Sequence, residues 1–240
     1  ERVYPQATLA AHVLGYNDID GHGAQGMERA LDARLIDPAT RGKGAYLSID
    51  TRVQAAMESE LYAAMVKFSA IGATGIVLDV HTGEVIAMAS LPVFNPNKVG
   101  ASPDEARRNG VTQSVYELGS TFKPLTVAAG MDAGVIRSMS QRYDVSAPLQ
   151  VGGFRIHDDH PGHGSFTVPE ILVHSSNIGT ARIADEMGQA LMEKTFRALG
   201  FYGAPDIELR EKGASITPRF WARTTVMTTA YGHGIAITPD

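Results

Sequence analysis

Residues 73–91, ATGIVLDVHTGEVIAMASL, restrict the fold more than any other stretch. Two runs rich in β-branched and apolar residues flank the Gly-bearing turn VHTG, the pattern of an antiparallel hairpin. A hairpin with an apolar face needs cover, and the preceding segment offers it. Val53, Met57, Leu61, Met65 and Phe68 recur at three- or four-residue steps, the spacing of one helical face, and Asp50 stands where an N-cap belongs. AYLSID, residues 45–50, reads as a short strand leading into that helix. A helix laid over antiparallel strands is an α+β arrangement, and a chain that is 44% hydrophobic can fill the core between them.

On either side of this layer the pattern loosens. Residues 1–44 carry several glycines around one short helical stretch, MERALDARL, and read as a linker or the end of a preceding domain; residues 45–240 form the main domain. Residues 91–115 are expected to be a loop, and LTVAAGMDAGV a helix stopped at Gly134. Residues 140–165 are turn-rich. TVPE, residues 167–170, has the form of a capping box, which predicts a helix over 168–173. NIGTARIADEMG and LMEKTFRALG predict two more helices, the second with Met192, Phe196 and Leu199 on one face and Gly200 at its end.

Charge and composition exclude several functions. A net charge of −5 with no Lys/Arg run argues against nucleic acid or an anionic membrane as the main partner. The absence of cysteine excludes disulfides, thiolate nucleophiles and Cys-ligated metals, and is compatible with cytoplasm and periplasm alike. No apolar run approaches the ~18 to 20 residues that span a bilayer. An opening on Glu1 and an end on GIAITPD predict a fragment at both ends.

The chemistry concentrates in YELGSTFKPLT, residues 116–126. With Ser120 at a helix N-cap, Lys123 lies one turn along and can bring its amine to the hydroxyl, while Pro124 falls in the first turn, where its missing N–H costs least. A serine hydroxyl is a weak nucleophile that needs a base, and a lysine stripped of water can serve as one. The same residues also suit a capping serine followed by a solvated lysine. A second motif, HSSNIG at 174–179, holds the only Ser-x-Asn of the chain, between two predicted helices; alone it reads as an N-cap by Ser176 or Asn177. HDDHPGH, residues 157–163, places three His and two Asp within seven residues. Pro161 and Gly162 make it a loop, and no helical His-x-x-x-His spacing supports a metal site, so neither a metal nor a cofactor is expected.

Ser-x-x-Lys at a helix start, followed about 55 residues later by Ser-x-Asn in an interhelical loop, is the pattern of penicillin-recognising serine enzymes. The runs GATGIVLDVHTGEVIAMASLPVFNPN, RNGVTQSVYELGSTFKP, DDHPGHGSFTVPEILVHSSNIG and YGHGIAITP resemble class B penicillin-binding proteins, and the FtsI-like division transpeptidases in particular. HVLGYNDIDGHGAQGMERALDARL is similar to the end of that family's N-terminal pedestal, so the resemblance covers nearly the whole chain.

The resemblance implies the penicillin-binding-protein/β-lactamase-like α+β fold, an antiparallel sheet with flanking helices and a helical subdomain, incomplete at the C-terminus, with a pedestal remnant over 1–44. It makes Ser120 the nucleophile, Lys123 its base, Ser175 a proton relay and Asn177 a ligand of the donor peptide's amide. It implies cross-linking of peptidoglycan stem peptides ending in D-Ala-D-Ala in septal wall synthesis, acylation by β-lactams, and divisome membrane proteins as partners. It also implies one N-terminal anchor in the bacterial cytoplasmic membrane with the domain facing the periplasm. The family's third motif, Lys-Thr/Ser-Gly, does not occur within these residues; it is expected beyond Asp240, the alternative being a truncated chain without function. A D,D-carboxypeptidase, a β-lactamase and a penicillin-binding scaffold without turnover are the alternatives on the same scaffold.

Overall fold

A computed structural model describes residues 2–160 and 162–240, so Pro161, expected in a loop, lies outside the described residues. Two units are distinct. One comprises the chain up to Val115 together with Pro205–Ala214 and Thr238–Asp240; the other comprises Tyr116–Ala204 and Ser215–Ile237.

The first unit carries α1 (Ala11–Leu14), β1 (Tyr16–Asn17), β2 (Gly23–Gln25), α2 (Gly26–Ala30), α3 (Asp32–Ile36), α4 (Thr51–Lys67), β3 (Ala73–Leu78), β4 (Val85–Leu91) and α5 (Asp104–Arg107). The hairpin forms as its sequence predicts: β3 and β4 are antiparallel, with Ala73 opposite Leu91 and Val77 opposite Ala87. Its turn is held by the Asp79 carboxylate, which accepts the N–H groups of His81 and Thr82 at 2.8 and 3.0 Å. α4 covers the hairpin, capped by Asp50, whose side chain accepts the Arg52 N–H. It lies so close over β3 that a Cβ on Gly75 would come within 2.8 Å of Met57 Sδ.

The residue that α4 buries is Gln54, near its N-terminus, rather than an apolar one. Its Oε1 accepts the Met88 N–H at 2.8 Å and its Nε2 donates to the Met88 carbonyl at 2.7 Å, so the side-chain amide pairs with β4 as a neighbouring strand would. Phe68, expected on the covering face, is 71% exposed, because α4 ends at Lys67 and the chain turns there. The strand expected over 45–50 does not form. Its backbone bond to β4 runs from Asp50 N–H to the Ile86 carbonyl, and Asp50 already caps α4, so the chain leaves the edge before a ladder begins. MERALDARL is divided between α2 and α3, and Val13 of α1 packs with Met88, Val111 and Leu209.

The second unit carries α6 (Lys123–Asp132), β5 (Arg142–Asp144), β6 (Leu149–Val151), β7 (Phe154–Ile156), β8 (Ser165–Thr167), α7 (Val168–Val173), α8 (Asn177–Ala198) and α9 (Arg223–Thr229). The expected turn-rich segment thus contains paired strands, β5 with β8 and β6 with β7, each three residues long and too short to announce itself by alternation. α7 spans the predicted residues behind a capping box between Thr167 and Glu170. The two helices predicted after Asn177 run on as α8, broken at Gly188, whose φ of 73° no helix accommodates. Phe122, Ile171, Ile183, Met192, Phe196 and Trp221 fill the core between α6, α7, α8 and α9. Leu199 departs from its predicted face: it caps the end of α8 and is 46% exposed. α8 meets α7 where a Cβ on Gly179 would lie 2.6 Å from Ile171. These helices fix the two serine motifs.

Candidate active site

Ser120 does not cap a helix. Residues Gly119–Phe122 form a 3₁₀ turn that runs directly into α6, and Phe122 takes the position before α6 without a side-chain cap. In a 3₁₀ turn, residues three apart eclipse, so Ser120 and Lys123 share one face more closely than an α-helix would place them. Pro124 sits in the first turn of α6, as expected. The Ser120 side chain is exposed, and none of the side-chain hydrogen bonds among the described residues ends on its hydroxyl. The turn is clasped from behind by residues 230–234. Gly119 N–H reaches the Gly232 carbonyl at 3.4 Å, a Cβ on Gly232 would stand 2.3 Å from the Gly119 carbonyl oxygen, and the Glu117 carboxylate accepts the Gly234 N–H at 2.7 Å.

Lys123 is buried, only 2% exposed. Its Nζ donates to the Ser175 carbonyl at 2.5 Å and to Ser175 Oγ at 2.8 Å. Burial pushes its pKa below that of an ordinary lysine, against the attraction of Asp158 and Asp159 for the charged form. The solvated lysine that the motif alone allowed is therefore excluded.

Ser175 owes its position to the end of α7. The Ser176 N–H bonds the Ile171 carbonyl and the Ser175 N–H the Leu172 carbonyl, the two bonds of a Schellman turn, which leaves Ser175 in the left-handed position usually taken by glycine. Its φ is +53°. A serine there costs roughly 1–2 kcal/mol of backbone strain and persists because the surroundings hold it. The next residue starts a helix: Ser176 caps α8, its Oγ accepting the Gly179 N–H at 2.9 Å. Asn177 then donates through Nδ2 to the His157 carbonyl at 3.0 Å. Of the two residues the sequence offered as caps, Ser176 takes that role, which leaves Ser175 and Asn177 to flank it.

Lys123 and Ser175 are thus in contact, Ser120 lies one 3₁₀ turn ahead of Lys123, and Asn177 stands on the first turn of α8. Sequence reasoning missed the part played by Asp158, weighed only as a metal ligand. Its Oδ2 accepts from Ser176 Oγ at 2.7 Å and its Oδ1 from the Ile178 N–H at 2.9 Å, so both oxygens bind the α8 terminus. Among the described residues no group of three or more His, Asp or Glu side chains comes together as a metal would require.

On this α+β scaffold a serine and a buried lysine thus lie at the start of one helix, and a second serine from a neighbouring interhelical turn contacts the amine. The chain belongs to the penicillin-binding protein transpeptidase domain family, whose model matches residues 73–240. It is 45% identical over 99% of its length to the probable peptidoglycan D,D-transpeptidase FtsI of Caulobacter vibrioides, and 30% identical over 99% to the peptidoglycan D,D-transpeptidase FtsI of Escherichia coli. It spans 40% and 44% of those relatives' lengths. Among solved structures it is similar to penicillin-binding protein 3 of Mycobacterium tuberculosis complexed with aztreonam. That match has a TM-score of 0.88 and 30% identity and covers 99% of this chain and 55% of the other. The same relative complexed with ampicillin matches with a TM-score of 0.89.

Proposed function

We propose that the protein is a peptidoglycan D,D-transpeptidase acting through a Ser120 acyl-enzyme. One observation carries this reading: a buried lysine amine, bonded to Ser175, stands one turn after an exposed serine whose hydroxyl takes part in no side-chain hydrogen bond among the described residues. Desolvation favours neutral Lys123, the form that can accept a proton. Ser120 Oγ attacks the carbonyl of the penultimate D-alanine as its proton passes to Lys123 Nζ. Ser175 Oγ, hydrogen-bonded to that amine, relays a proton to the departing D-alanine nitrogen, and the C–N bond breaks to leave an ester on Ser120. The amine of a neighbouring stem peptide then attacks the ester, loses a proton through the same pair and releases the Ser120 hydroxyl with the cross-link made. Asn177, whose Nδ2 is engaged by His157, presents its Oδ1 to the donor's amide N–H.

A β-lactam offers the same serine a strained amide in place of D-Ala-D-Ala and acylates it. The similarity to division transpeptidases supports a septal role and divisome membrane proteins as partners. Residues 1–44 are the end of a pedestal preceding the transpeptidase domain at 45–240. The anchor in the cytoplasmic membrane and the periplasmic placement rest on the same similarity; no helix among the described residues is long and apolar enough to cross a membrane. The test supplies the protein at its natural length with a donor stem peptide ending in D-Ala-D-Ala and an acceptor stem peptide. The expected result is release of D-alanine with a cross-linked product, absent for Ser120→Ala. D-alanine release with hydrolysed donor alone would assign a carboxypeptidase instead.

A further inference from the structure

The carboxylate of Asp158 has its two oxygens committed to neighbouring points of the Ser-Ser-Asn turn. Oδ2 takes the Ser176 hydroxyl proton at 2.7 Å and Oδ1 the Ile178 N–H at 2.9 Å. One residue earlier, the His157 carbonyl holds the Asn177 side chain at 3.0 Å. Residues 157–158 therefore hold the start of α8 at Ser176, Asn177 and Ile178, directly after Ser175. That hold matters because Ser175 occupies a left-handed conformation that an L side chain does not choose for itself. Asp158 also completes the cap of α8: Ser176 Oγ satisfies Gly179, Asp158 satisfies Ile178, and its negative charge lies at the positive end of the helix.

We infer that Asp158 is a positioning residue of the site: its carboxylate fixes the turn that presents Ser175 and Asn177, and its charge sets the electrostatic environment of the Lys123 amine. The inference rests on the acyl-enzyme reading above. Among the described residues, the charged groups that bear on the Lys123 amine are Asp158 and Asp159, both on the segment before β8; α6, α7 and α8 contribute none. Both carboxylates favour the ammonium, whereas burial disfavours it, so removing the Asp158 charge would lower the Lys123 pKa further. A base that must give its proton back to the leaving amine needs that balance.

The test uses Asp158→Asn and Asp158→Ala in the protein at its natural length. Acylation of Ser120 by benzylpenicillin is followed against pH, and Lys123 Nζ is titrated by NMR. Asparagine can keep an acceptor for Ile178 and a partner for Ser176 but not the charge. We expect Asp158→Asn to move the ascending limb of acylation, and the Lys123 titration with it, to lower pH. Asp158→Ala should show the same displacement and lose about tenfold or more in plateau rate, since the turn then loses both charge-assisted bonds. An Asp158→Asn protein with the wild-type limb and the wild-type Lys123 titration overturns the inference, whatever its melting temperature. That variant also decides the matter if Asp158→Ala does not fold. A wild-type protein that acquires no adduct on Ser120 would instead sink the acyl-enzyme reading, and the Lys123 titration would still decide the role of Asp158.

Discussion

Ser120 and Ser175 are both exposed serines beside the same lysine, yet the chain treats them in opposite ways. Ser120 lies in a right-handed 3₁₀ turn, and its hydroxyl takes part in none of the described side-chain hydrogen bonds. Ser175 is locked at φ +53° between two helices, and both its carbonyl and its hydroxyl accept from Lys123 Nζ. In the proposed mechanism the first hydroxyl forms the acyl bond and the second passes a proton. The strain sits on the second residue. The proposed base needs a neutral lysine, and burial shifts Lys123 toward that form.

Removing the Lys123 amine has the largest expected effect. Lys123→Met keeps the length and apolar stem of the side chain, so stability should change by no more than about 1 kcal/mol, because burying an amine was itself costly. Acylation of Ser120 should nevertheless fall by roughly 10²–10⁴, the usual worth of a positioned base, measured as adduct formed per unit time. In the wild type the rate should fall as pH drops through the depressed pKa of Lys123, since the protonated amine cannot accept the serine proton. Loss of that limb in Lys123→Met is part of the same expectation.

A smaller effect sharpens the contrast in backbone strain. Ser175→Gly and Ser175→Ala both delete the hydroxyl and should slow acylation alike. Glycine relaxes the left-handed turn, whereas alanine retains its Cβ, so chemical denaturation should show Ser175→Gly more stable than Ser175→Ala by about 1 kcal/mol. The same pair of substitutions at Ser120, which has an ordinary right-handed backbone, should not favour glycine.

What the sequence made legible divides along local and distant causes. The hairpin, α4 and the capping box of α7 depend on residues a few positions apart and appear where the pattern placed them, whereas the two helices expected on either side of Gly188 run on as α8. The start of α6 was misjudged because a serine before a helical run looks the same whether it caps an α-helix or sits inside a 3₁₀ turn. Gln54 was overlooked as a polar residue on an apolar helix, although it follows the spacing of Met57, Glu58 and Leu61 toward the hairpin; only a strand edge beneath it explains its burial. The Ser-x-x-Lys and Ser-x-Asn motifs were visible as motifs. That they meet through Lys123 Nζ and Ser175, and that the Asp158 carboxylate binds the start of α8, depends on the path of the chain from 123 to 178, which no local signal encodes.

The central claim is that Ser120 is the free nucleophile of this pair and Ser175 the fixed one. It is tested most directly by incubating the natural-length protein with benzylpenicillin, measuring its intact mass and mapping the modified peptide. One adduct is expected, on Ser120, lost in Ser120→Ala and still formed, more slowly, in Ser175→Gly. A folded protein with no adduct, or an adduct on Ser175 that survives Ser120→Ala, would contradict it.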